Sequence, residues 1–589
     1  MWISKVTIKN FRKVPFDKEV VINFKEGLNL IIGENNIGKT TIIDALSLCL
    51  SYGSVERGVW LKKEDFNNPD SPIEISIEFS GLKLQHEAAF LQALVIDDEE
   101  KNNQLRFIFS FELKDEKVQP QIKCGELGLT SNPYDLLKYL RAIHLQALRD
   151  VNLEFQPGYK SRITKIVRKE FPECKSFEEI FKDANIKALG HQGEKNPVRV
   201  LEGQTNQNIA KLSLGSDNNK IKLDFVEQEF TKILTNIVMK TAEKGLDIKT
   251  NGLGYNNLIY ISTILTELKV EEKYESHIFN CLLIEEPEAH LHPQLQALLL
   301  DFLQAEYKTI QVILTSHSPT LAAAVNFNNL TILAKSHEVM KSVLIKNTAL
   351  ENKNKAFLRR FLDVTKSQMF FARKIIFVEG ITEAMLMKAF WNYIFNDIRM
   401  KFDRQGIEIV NIQGVAFKPY VDLIKNVFAE TDVKSVLITD DDRGSGKSCP
   451  VDKRFIIDDQ IRPTHEIVSI FNGAPISSRA VTLKNEVEKL NKEGFRVGIF
   501  LSQKTFEIEF ALANEKIRKL FKNIIPIAES SAMLKLNFAI DIWRKISEED
   551  LKSEFADRIL RFIGRASNKK LGIQIPDYII RAFNFLKDD

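Results

Sequence analysis

A glycine-rich loop near the start of the chain has the residue types and spacing needed to hold the phosphates of a nucleotide. It follows the apolar run Leu28–Ile32 and consists of Gly33, Glu34, Asn35, Asn36, Ile37, Gly38, Lys39, Thr40 and Thr41. This is the pattern G-x-x-x-x-G-K-[ST] between a strand and an amphipathic helix. In such a loop the main-chain N–H groups surround phosphate oxygens, Lys39 reaches the β- and γ-phosphates, and Thr40 binds Mg²⁺. The sequence therefore predicts a nucleotide site, and a chance glycine-rich turn is the weaker interpretation.

Two further strand ends carry polar residues that complete such a site. The apolar run Cys281–Ile284 leads into Glu285 and Glu286, and a later apolar run leads into Ser316 and His317. One carboxylate can hold the water shell of Mg²⁺, and the next can polarise the attacking water. The position of His317 after a third strand favours a γ-phosphate sensor over an ordinary surface histidine.

A second group of acidic residues lies in the other half of the chain. Glu379 ends an apolar run, Gly380 permits a tight turn, and Glu383 falls in the first turn of a helix pattern. Asp440 and Asp442 follow another apolar run, and alternate residues of a strand point the same way. Carboxylates packed this closely repel one another unless a divalent cation binds, and oxygen ligands favour Mg²⁺ or Mn²⁺. A two-metal site that cleaves phosphodiesters is the functional hypothesis, and a solvated acidic loop is the structural alternative.

The pattern of elements predicts how these residues are positioned. The chain has 589 residues, which indicates two or three domains. Strand-like alternation at 3–8, 20–24, 73–79 and 105–111 gives way to helical spacing and a polar loop over 203–220. The predicted fold class is α/β, with the following boundaries: an N-terminal part of the nucleotide-binding domain over residues 1–150, a helical insertion over 151–245, a C-terminal part of the nucleotide-binding domain over 246–350, a connector over 351–370, and a second α/β domain with helices toward its C-terminus over 371–589.

Composition excludes several classes of protein. The sequence is 44% hydrophobic and 27% charged, and no apolar run is long enough to span a membrane. The five cysteines form no C-x-x-C pair, so a reduced, cytoplasmic setting is expected and a structural zinc is not. The net charge of +3 neither requires nor excludes nucleic acid, since a local basic groove fits within a nearly balanced total.

The first half of the chain resembles the ABC ATPases of the RecF and SMC type. The resemblance lies in the residues around Arg12, in the phosphate loop, in the run from Glu285 to Pro293, and in the run from Thr315 to Pro319. It implies that ATP is the nucleotide, that Arg12 lies near it, that Glu285 takes the metal position, that Glu286 is the catalytic carboxylate and that His317 is the switch histidine. The sequence departs from the pattern by having Glu285 where most ABC proteins have aspartate. Its signature element, the segment that completes the nucleotide site of a partner subunit, starts at Asn251 and is also non-standard. If this element works as a signature, ATP hydrolysis needs a dimer.

The second half resembles the TOPRIM fold, and the two halves together resemble the overcoming lysogenization defect (OLD) family of nucleases. The motif E-G-x-x-E followed by D-x-D carries the TOPRIM resemblance. Glu507 falls in a further acidic motif that resembles one of the nuclease branch, and this resemblance implies that Glu507 is a metal ligand. The resemblance also implies a catalytic lysine at Lys569 or Lys570, for which a plain surface lysine is an equal alternative.

The OLD resemblance implies DNA cleavage or nicking gated by nucleotide or a partner, in anti-phage defence. It implies a homodimer or higher homo-oligomer, with dimerisation through the helical insertion. A partner could be a UvrD-like helicase, as in Gabija systems, or a reverse transcriptase with its RNA–DNA product, as in retrons. The alternative function is a RecF-like, ATP-dependent DNA clamp whose TOPRIM half does not cleave, and a primase or topoisomerase is a weaker third.

Overall fold

The structure is a computed structural model. It describes the following residues: 1–52, 59–96, 103–126, 130–131, 133–146, 155, 158, 161–170, 179–180, 182–184, 187, 197–212, 221–223, 232, 234–240, 248, 251–274, 277–306, 310–337, 339–429, 431–443, 456–457, 460–461, 474–514, 521, 535–564 and 572–587.

By its internal contacts the chain divides into two compact units. The first contains Met1–Leu145, Phe279–Glu288 and Pro293–Asp589, and the second contains Gln146–Ile278 and Ala289–His292. The first unit therefore includes both predicted sites. The domain boundaries predicted from the sequence stay a prediction, since a division by contacts does not test where each function begins.

The elements of residues 1–145 are three α-helices and nine strands within the described ranges, besides two short 3-10 helices. The strands are β1 (Trp2–Lys9), β2 (Glu19–Asn23), β3 (Leu28–Gly33), β4 (Ile73–Ser80), β5 (Leu94–Val95), β6 (Gln104–Lys114), β7 (Lys117–Cys124), β8 (Thr130–Ser131) and β9 (Leu140–Leu145). The helices are α1 (Lys39–Leu50), α2 (Leu84–Ala89) and α3 (Tyr134–Leu137).

The second unit is described as helices. They are α4 (Arg162–Glu170), α5 (Pro197–Leu212) and α6 (Leu253–Tyr274). Arg162 on α4 bonds Glu267 on α6 at 2.8 Å. The polar stretch from Gly203, predicted as a loop, is helical as far as Leu212, and residues 213–220 lie outside the described residues. A role for this unit in dimerisation stays a prediction.

Strand and helix alternate again from residue 279 to the end of the ATPase half. The elements are β10 (Phe279–Glu285), α7 (Pro293–Glu306), β11 (Gln311–Ser316), α8 (Pro319–Ala324), β12 (Leu330–Ser336), β13 (Val339–Leu344), α9 (Asn352–Phe361) and α10 (Val364–Ser367). The segment predicted as a connector is thus largely helical.

The remaining elements belong to the second half of the chain. They are β14 (Lys374–Val378), α11 (Ile381–Ile394), β15 (Ile407–Asn411), α12 (Lys418–Val427), β16 (Lys434–Asp440), β17 (Ile456–Ile457), β18 (Gln460–Ile461), α13 (Ser478–Lys492), β19 (Val497–Ser502), α14 (Phe506–Ala513), α15 (Lys535–Glu548), α16 (Lys552–Gly564) and α17 (Asp577–Lys587).

An antiparallel sheet forms the first layer of the ATPase half, with strand order β2-β1-β4-β6-β7-β8 and β5 paired to β6. Alternate residues of β4, such as Ile73, Ile75 and Ile77, are buried, whereas Glu74 is exposed. This alternation is typical of a sheet with one face toward the core. The four strands predicted in residues 1–111 are confirmed.

A six-stranded sheet with the order β13-β12-β3-β11-β10-β9 positions the nucleotide residues. All its neighbours are parallel except β12 and β13. Every residue of β3 and β11 is buried, as expected for strands covered on both faces. Because β3, β10 and β11 run in the same direction, the residues that follow them meet at one edge of the sheet.

A four-stranded parallel sheet, β15-β14-β16-β19, is the framework of the second half. Helices α11, α14, α16 and α17 pack against it through a shared apolar core. Trp391 in this core is fully buried, and its indole N–H donates to the carbonyl oxygen of Met400 at 2.6 Å. The hydrophobic strands predicted at 374–378, 407–412 and 436–439 are confirmed.

Candidate functional site

The predicted phosphate loop joins β3 to α1 with the expected backbone. Gly33 and Gly38 have φ of 159° and 122°, and Asn36 has φ of 62°. A Cβ on Gly33 would lie 2.6 Å from the carbonyl oxygen of Leu333, so only glycine fits there. The cavity above the loop has a volume of about 350 Å³, and the following described residues line it: Lys13, Asn35, Asn36, Gly38, Lys39, Thr40, Thr41, Glu286 and His317.

Lys39 is held at the base of this cavity. Its Nζ donates to the carbonyl oxygens of Gly33 at 2.8 Å and Glu34 at 2.9 Å, and it lies 3.1 Å from Nδ1 of His317. Burial lowers the pKa of Lys39 to about 8, although the carboxylates of Glu286 and Glu288 act to raise it. The lysine is an ammonium ion whose hydrogen bonds can be exchanged for phosphate oxygens.

His317 lies between Lys39 and the carboxylate of Glu286. Its Nε2 is 3.2 Å from Oε1 of Glu286. Burial lowers the pKa of His317 to about 4, and the charge of Lys39 acts in the same direction. A neutral ring that accepts from Lys39 at Nδ1 carries its proton on Nε2, the nitrogen that lies close to Glu286. The three predicted residues therefore lie next to one another in the lining of the cavity.

Glu288 fixes the loop that carries the histidine. Its Oε1 accepts from the hydroxyl of Ser316 at 2.8 Å and from the main-chain N–H of His317 at 2.7 Å. Burial raises the pKa of Glu288. In the sequence Glu288 is only one residue of the run after β10, whereas its contacts show that it positions the end of strand β11.

Glu285 lies away from the cavity, in a buried cluster on the α1 side of the sheet. Its Oε1 is 2.7 Å from Nε2 of His144 on β9. Ligand atoms of Asp44, His144 and Glu285 lie within 4.8 Å of one another. Asp44 is already bonded to Arg12, and His144 to Glu285, so these contacts account for the cluster without an ion.

Arg12, predicted to lie near the nucleotide, pairs with Asp44 and with Asp65, the latter at 2.8 Å. It is not among the described residues that line the cavity, whereas its neighbour Lys13 is. Nζ of Lys13 donates to the carbonyl oxygen of Asn36 at 2.5 Å. Lys13 could not be identified from the sequence. Arg12 and Lys13 are neighbouring basic residues in a loop, and the sequence does not show which of them faces the site.

In the second half, four predicted carboxylates converge at the carboxyl edge of the parallel sheet. Glu379 follows β14, Glu383 is in the first turn of α11, Asp440 ends β16 and Glu507 is in the first turn of α14. All four line one cavity of about 520 Å³, together with Lys552. Glu383 and Glu507 are buried, with 6% and 4% of their surface exposed.

Hydrogen bonds from the neighbouring strands orient two of these carboxylates. Val378 pairs with Ile438, so Glu379 lies beside Thr439, whose hydroxyl donates to its Oε2 at 2.5 Å. Asp440 pairs with Ser502, whose hydroxyl donates to its Oδ1 at 2.5 Å. The register of the sheet therefore sets the direction of both side chains.

The electrostatics of the cavity favour a bound cation. Burial raises the pKa of Glu383 to about 7, and the charges of Glu507 and Glu379 act in the same direction. Burial also raises the pKa of Asp440, with Glu383 as the next contributor. A divalent cation would remove this repulsion, and a ligand set of oxygens alone suits Mg²⁺ or Mn²⁺. The residues present thus fit the metal that the sequence predicts.

Asp442 does not join this set, although alternation along a strand predicts that it shares a ligand set with Asp440. Strand β16 ends at Asp440, and Asp442 has φ of 46°, in the left-handed region. Alternation stops where the strand stops, and the side chain of Asp442 pairs with Arg479 at 2.5 Å. The residue between them, Asp441, is buried and bonded to Arg443 at 2.8 Å.

Lys552 is the basic residue that the structure places beside the four carboxylates. Burial acts to lower its pKa, but the charges of Glu507 and Asp440 raise it. Lys569 and Lys570, the predicted catalytic lysines, lie outside the described residues. Neither Lys552 nor Arg479 belongs to a motif in the sequence, since each is brought to the site by a helix that begins far along the chain.

The two sites are connected at the opposite end of β14. Nε of Arg373 lies 3.1 Å from both carboxylate oxygens of Glu34 in the phosphate loop. The main chain of Asp432 donates to the carbonyl oxygen of Lys335 on β12 at 2.7 Å. A cavity of about 480 Å³ lies between these contacts. One strand thus begins at the nucleotide loop and ends at the carboxylate cavity.

Comparison with known proteins agrees with this arrangement of an ATPase half followed by a TOPRIM half. The family model described as AAA ATPase domain matches residues 1–189 and 146–322. The model described as overcoming lysogenization defect protein-like, TOPRIM domain, matches residues 370–442. The chain belongs to the AAA ATPase domain family, and the segment 370–442 that follows is similar to the TOPRIM domain of OLD-like proteins. The predicted fold class and family are confirmed.

Relatives of this kind match most of the chain. Endonuclease GajA of Bacillus cereus (strain HuB5-5) is 22% identical over 95% of this chain and 92% of its own length. OLD nuclease of Thermus scotoductus is 24% identical over 77% of this chain and 83% of its own length. Old nuclease of Escherichia phage P2 is 23% identical over 71% of this chain and 74% of its own length.

Proposed function

We propose that this protein is an ATP-binding, metal-dependent DNA endonuclease that nicks or cleaves DNA in anti-phage defence. The observation that carries the proposal is the convergence of Glu379, Glu383, Asp440 and Glu507 in one cavity, in the same chain as a complete phosphate loop. The names of relatives that match the chain along most of its length, an endonuclease and two OLD nucleases, support the same activity.

In the ATPase half, the phosphate loop binds the triphosphate of ATP. Lys39 exchanges its main-chain partners for the β- and γ-phosphates, and the hydroxyl of Thr40 would ligate Mg²⁺. Glu286 orients and polarises the attacking water, and His317 senses the γ-phosphate from its position beside both residues. Glu285 is bonded to His144 and is not among the described residues that line the cavity, so its assignment to the metal position rests on the sequence resemblance alone.

In the TOPRIM half, the cavity carboxylates would hold Mg²⁺ or Mn²⁺, and such an ion would supply water of lowered pKa and positive charge toward the phosphate. Glu379 and Asp440 are oriented for this by Thr439 and Ser502. Lys552 faces the same cavity and would neutralise charge that develops on the phosphodiester. The sequence predicts two cations for this site, with Asp442 among their ligands.

The setting and partners follow from the same interpretation. We propose a homodimer or higher homo-oligomer acting on DNA, in the cytoplasm, with a helicase or a reverse transcriptase with its RNA–DNA product as the partner in its defence system. Among the described residues, Cys49, Cys124 and Cys281 are buried and lie outside any disulfide, which suits a reducing compartment. Among the described residues, no helix is long and apolar enough to cross a membrane.

Plasmid nicking tests the proposal directly. Supercoiled plasmid is incubated with the protein and Mg²⁺ or Mn²⁺, and relaxation is measured for wild type, Glu379→Gln and Asp440→Asn. The matched control is Asp403→Asn, an exposed aspartate paired with Lys388. We expect both cavity variants to lose at least about 100-fold in rate, as for loss of a metal ligand, while the control keeps it. Equal cleavage by all four proteins would refute the nuclease site. No cleavage by wild type, with DNA still bound in the presence of ATP, would favour the RecF-like clamp.

A further inference from the structure

Arg479 connects the two acidic motifs of the TOPRIM half. It lies in the first turn of α13, which is anchored because the main-chain N–H of Ser477 donates to the carbonyl oxygen of Asp441 at 3.1 Å. The Arg479 guanidinium donates to Oδ2 of Asp442 at 2.5 Å and to the carbonyl oxygen of Asp440 at 3.2 Å. It is also 3.6 Å from Oε2 of Glu379.

The contacts of Asp442 differ from those of the cavity carboxylates. Glu383 and Asp440 both line the cavity, and their pKa values are raised by burial and by the charges of neighbouring carboxylates. Asp442 is not among the described residues that line that cavity, and its side chain is 27% exposed. Its carboxylate has a strong cationic partner, since hydrogen bonds between guanidinium and carboxylate are short and charge-assisted.

We propose that Arg479 is a positioning residue that holds Asp442 and Glu379 and supplies the positive charge that a second divalent cation would otherwise bring, so that the site binds one metal ion. The inference rests on the proposed nuclease function. A guanidinium remains charged throughout the working pH range, so this charge is permanent. Asp442 then acts through Arg479 and not as a metal ligand.

The number of bound Mn²⁺ ions separates this proposal from a two-metal site. Metal-stripped full-length protein is titrated with Mn²⁺ without nucleotide, and bound ions are counted by electron paramagnetic resonance for wild type, Asp440→Asn and Asp442→Asn. We expect Asp440→Asn to lose one ion relative to wild type and Asp442→Asn to lose none. A loss of two ions in Asp440→Asn, or of one in Asp442→Asn, overturns the proposal.

Nicking rates test whether Asp442 and Arg479 act as one unit. We expect Asp442→Asn and Arg479→Gln each to lower the rate about 10–100-fold, as for residues that orient a metal ligand, and the double variant to be no slower than Arg479→Gln. Arg479→Lys, which keeps the charge, should recover some of the rate. The matched control is Arg496→Gln, an arginine paired with Asp432 in the same domain.

Multiplied losses in the double variant would overturn the proposal. Thermal melting of each variant identifies any that fails to fold. If an Arg479 variant fails, the number of Mn²⁺ ions bound by Asp442→Asn tests the proposal by itself. If wild type does not nick DNA at all, the nuclease function fails, whereas the Mn²⁺ count still decides the role of Arg479.

Discussion

The stability of the metal-free protein should fall as pH rises through neutrality, because Glu383 is buried among other carboxylates. Burial and the charges of Glu507 and Glu379 raise its pKa from 4.5 to about 7. Below about pH 4.5 the group is neutral in both the folded and the unfolded protein, so its full stabilising contribution is present. As pH rises through 7, the folded protein must ionise a buried carboxyl and this contribution is lost. The shift of roughly 2.5 units corresponds to about 3 kcal/mol of unfolding free energy.

A bound divalent cation should offset this loss, because it binds the ionised carboxylates and not the protonated ones. For a cooperative unit of roughly 150–250 residues, 1 kcal/mol shifts the melting temperature by about 2–4 °C, so about 3 kcal/mol corresponds to about 6–12 °C. The assay is thermal unfolding in EDTA and in millimolar Mn²⁺, at about pH 5.5 and about pH 8. We expect the gain in melting temperature from Mn²⁺ to be several degrees larger at the higher pH.

Two variants isolate the contribution of Glu383. Glu383→Gln should remove most of the pH-dependent gain from Mn²⁺. Glu408 on β15 is the matched control, since burial raises its pKa to about 7 as well, but it does not line the carboxylate cavity. Glu408→Gln should therefore reduce the pH dependence in EDTA and leave the gain from Mn²⁺ unchanged. An equal gain at both pH values in wild type, or a full gain in Glu383→Gln, would refute the reasoning.

Three other outcomes are expected from single features of the structure. Lys39→Ala should abolish ATP turnover in a phosphate-release assay, since this ammonium group is the loop's cation; persistent turnover would contradict the nucleotide site. Gly254→Ala should lower the melting temperature, because its Cβ would lie 2.3 Å from a main-chain oxygen and overpacking costs about 1–3 kcal/mol, whereas Gly252→Ala, with nothing within 4 Å, should be neutral. Arg373→Glu should change unfolding free energy by less than about 1 kcal/mol, because exposed ion pairs contribute little, yet alter how nicking responds to ATP. If the double variant with Arg373→Glu and Glu34→Arg restores the response of nicking to ATP, the Arg373–Glu34 pair is confirmed. An unchanged ATP response in both the single and the double variant would exclude a role for this pair.

The features of both sites that could be predicted from the sequence are those encoded locally. The phosphate loop is recognisable because Gly33, Gly38 and Lys39 have a fixed spacing and an apolar strand precedes them. Glu379 and Glu383 are predictable for the same reason: each is close to the end of a buried strand. Such positions follow from the geometry of parallel strands without knowledge of the tertiary structure.

The features that could not be predicted depend on tertiary contacts. His144, Arg479 and Lys552 reach their sites from distant elements, and their surroundings in the sequence resemble those of any polar surface residue. Asp442 was misplaced for a different reason. The alternation rule holds only inside a strand, and the left-handed φ of 46° just beyond β16 turns the side chain toward α13. The two aspartates that precede Asp442 do not encode whether the strand ends before or after it.

Strand β14 has a consequence for attempts to study the TOPRIM half by itself. The strand spans Lys374–Val378, about 16 Å at roughly 3.3 Å per residue, and Arg373 and Glu379 lie at its two ends. A cut before residue 370 would remove the phosphate loop and leave Arg373 without Glu34, and it would expose the apolar walls of the junction cavity to water. The isolated half would keep every cavity carboxylate. Among the described contacts, it would lose the pairing of Arg373 with Glu34, which joins its sheet to the nucleotide loop. Its activity would therefore report the chemistry of the nuclease freed from ATP, and the difference from the full chain would measure what the ATPase contributes.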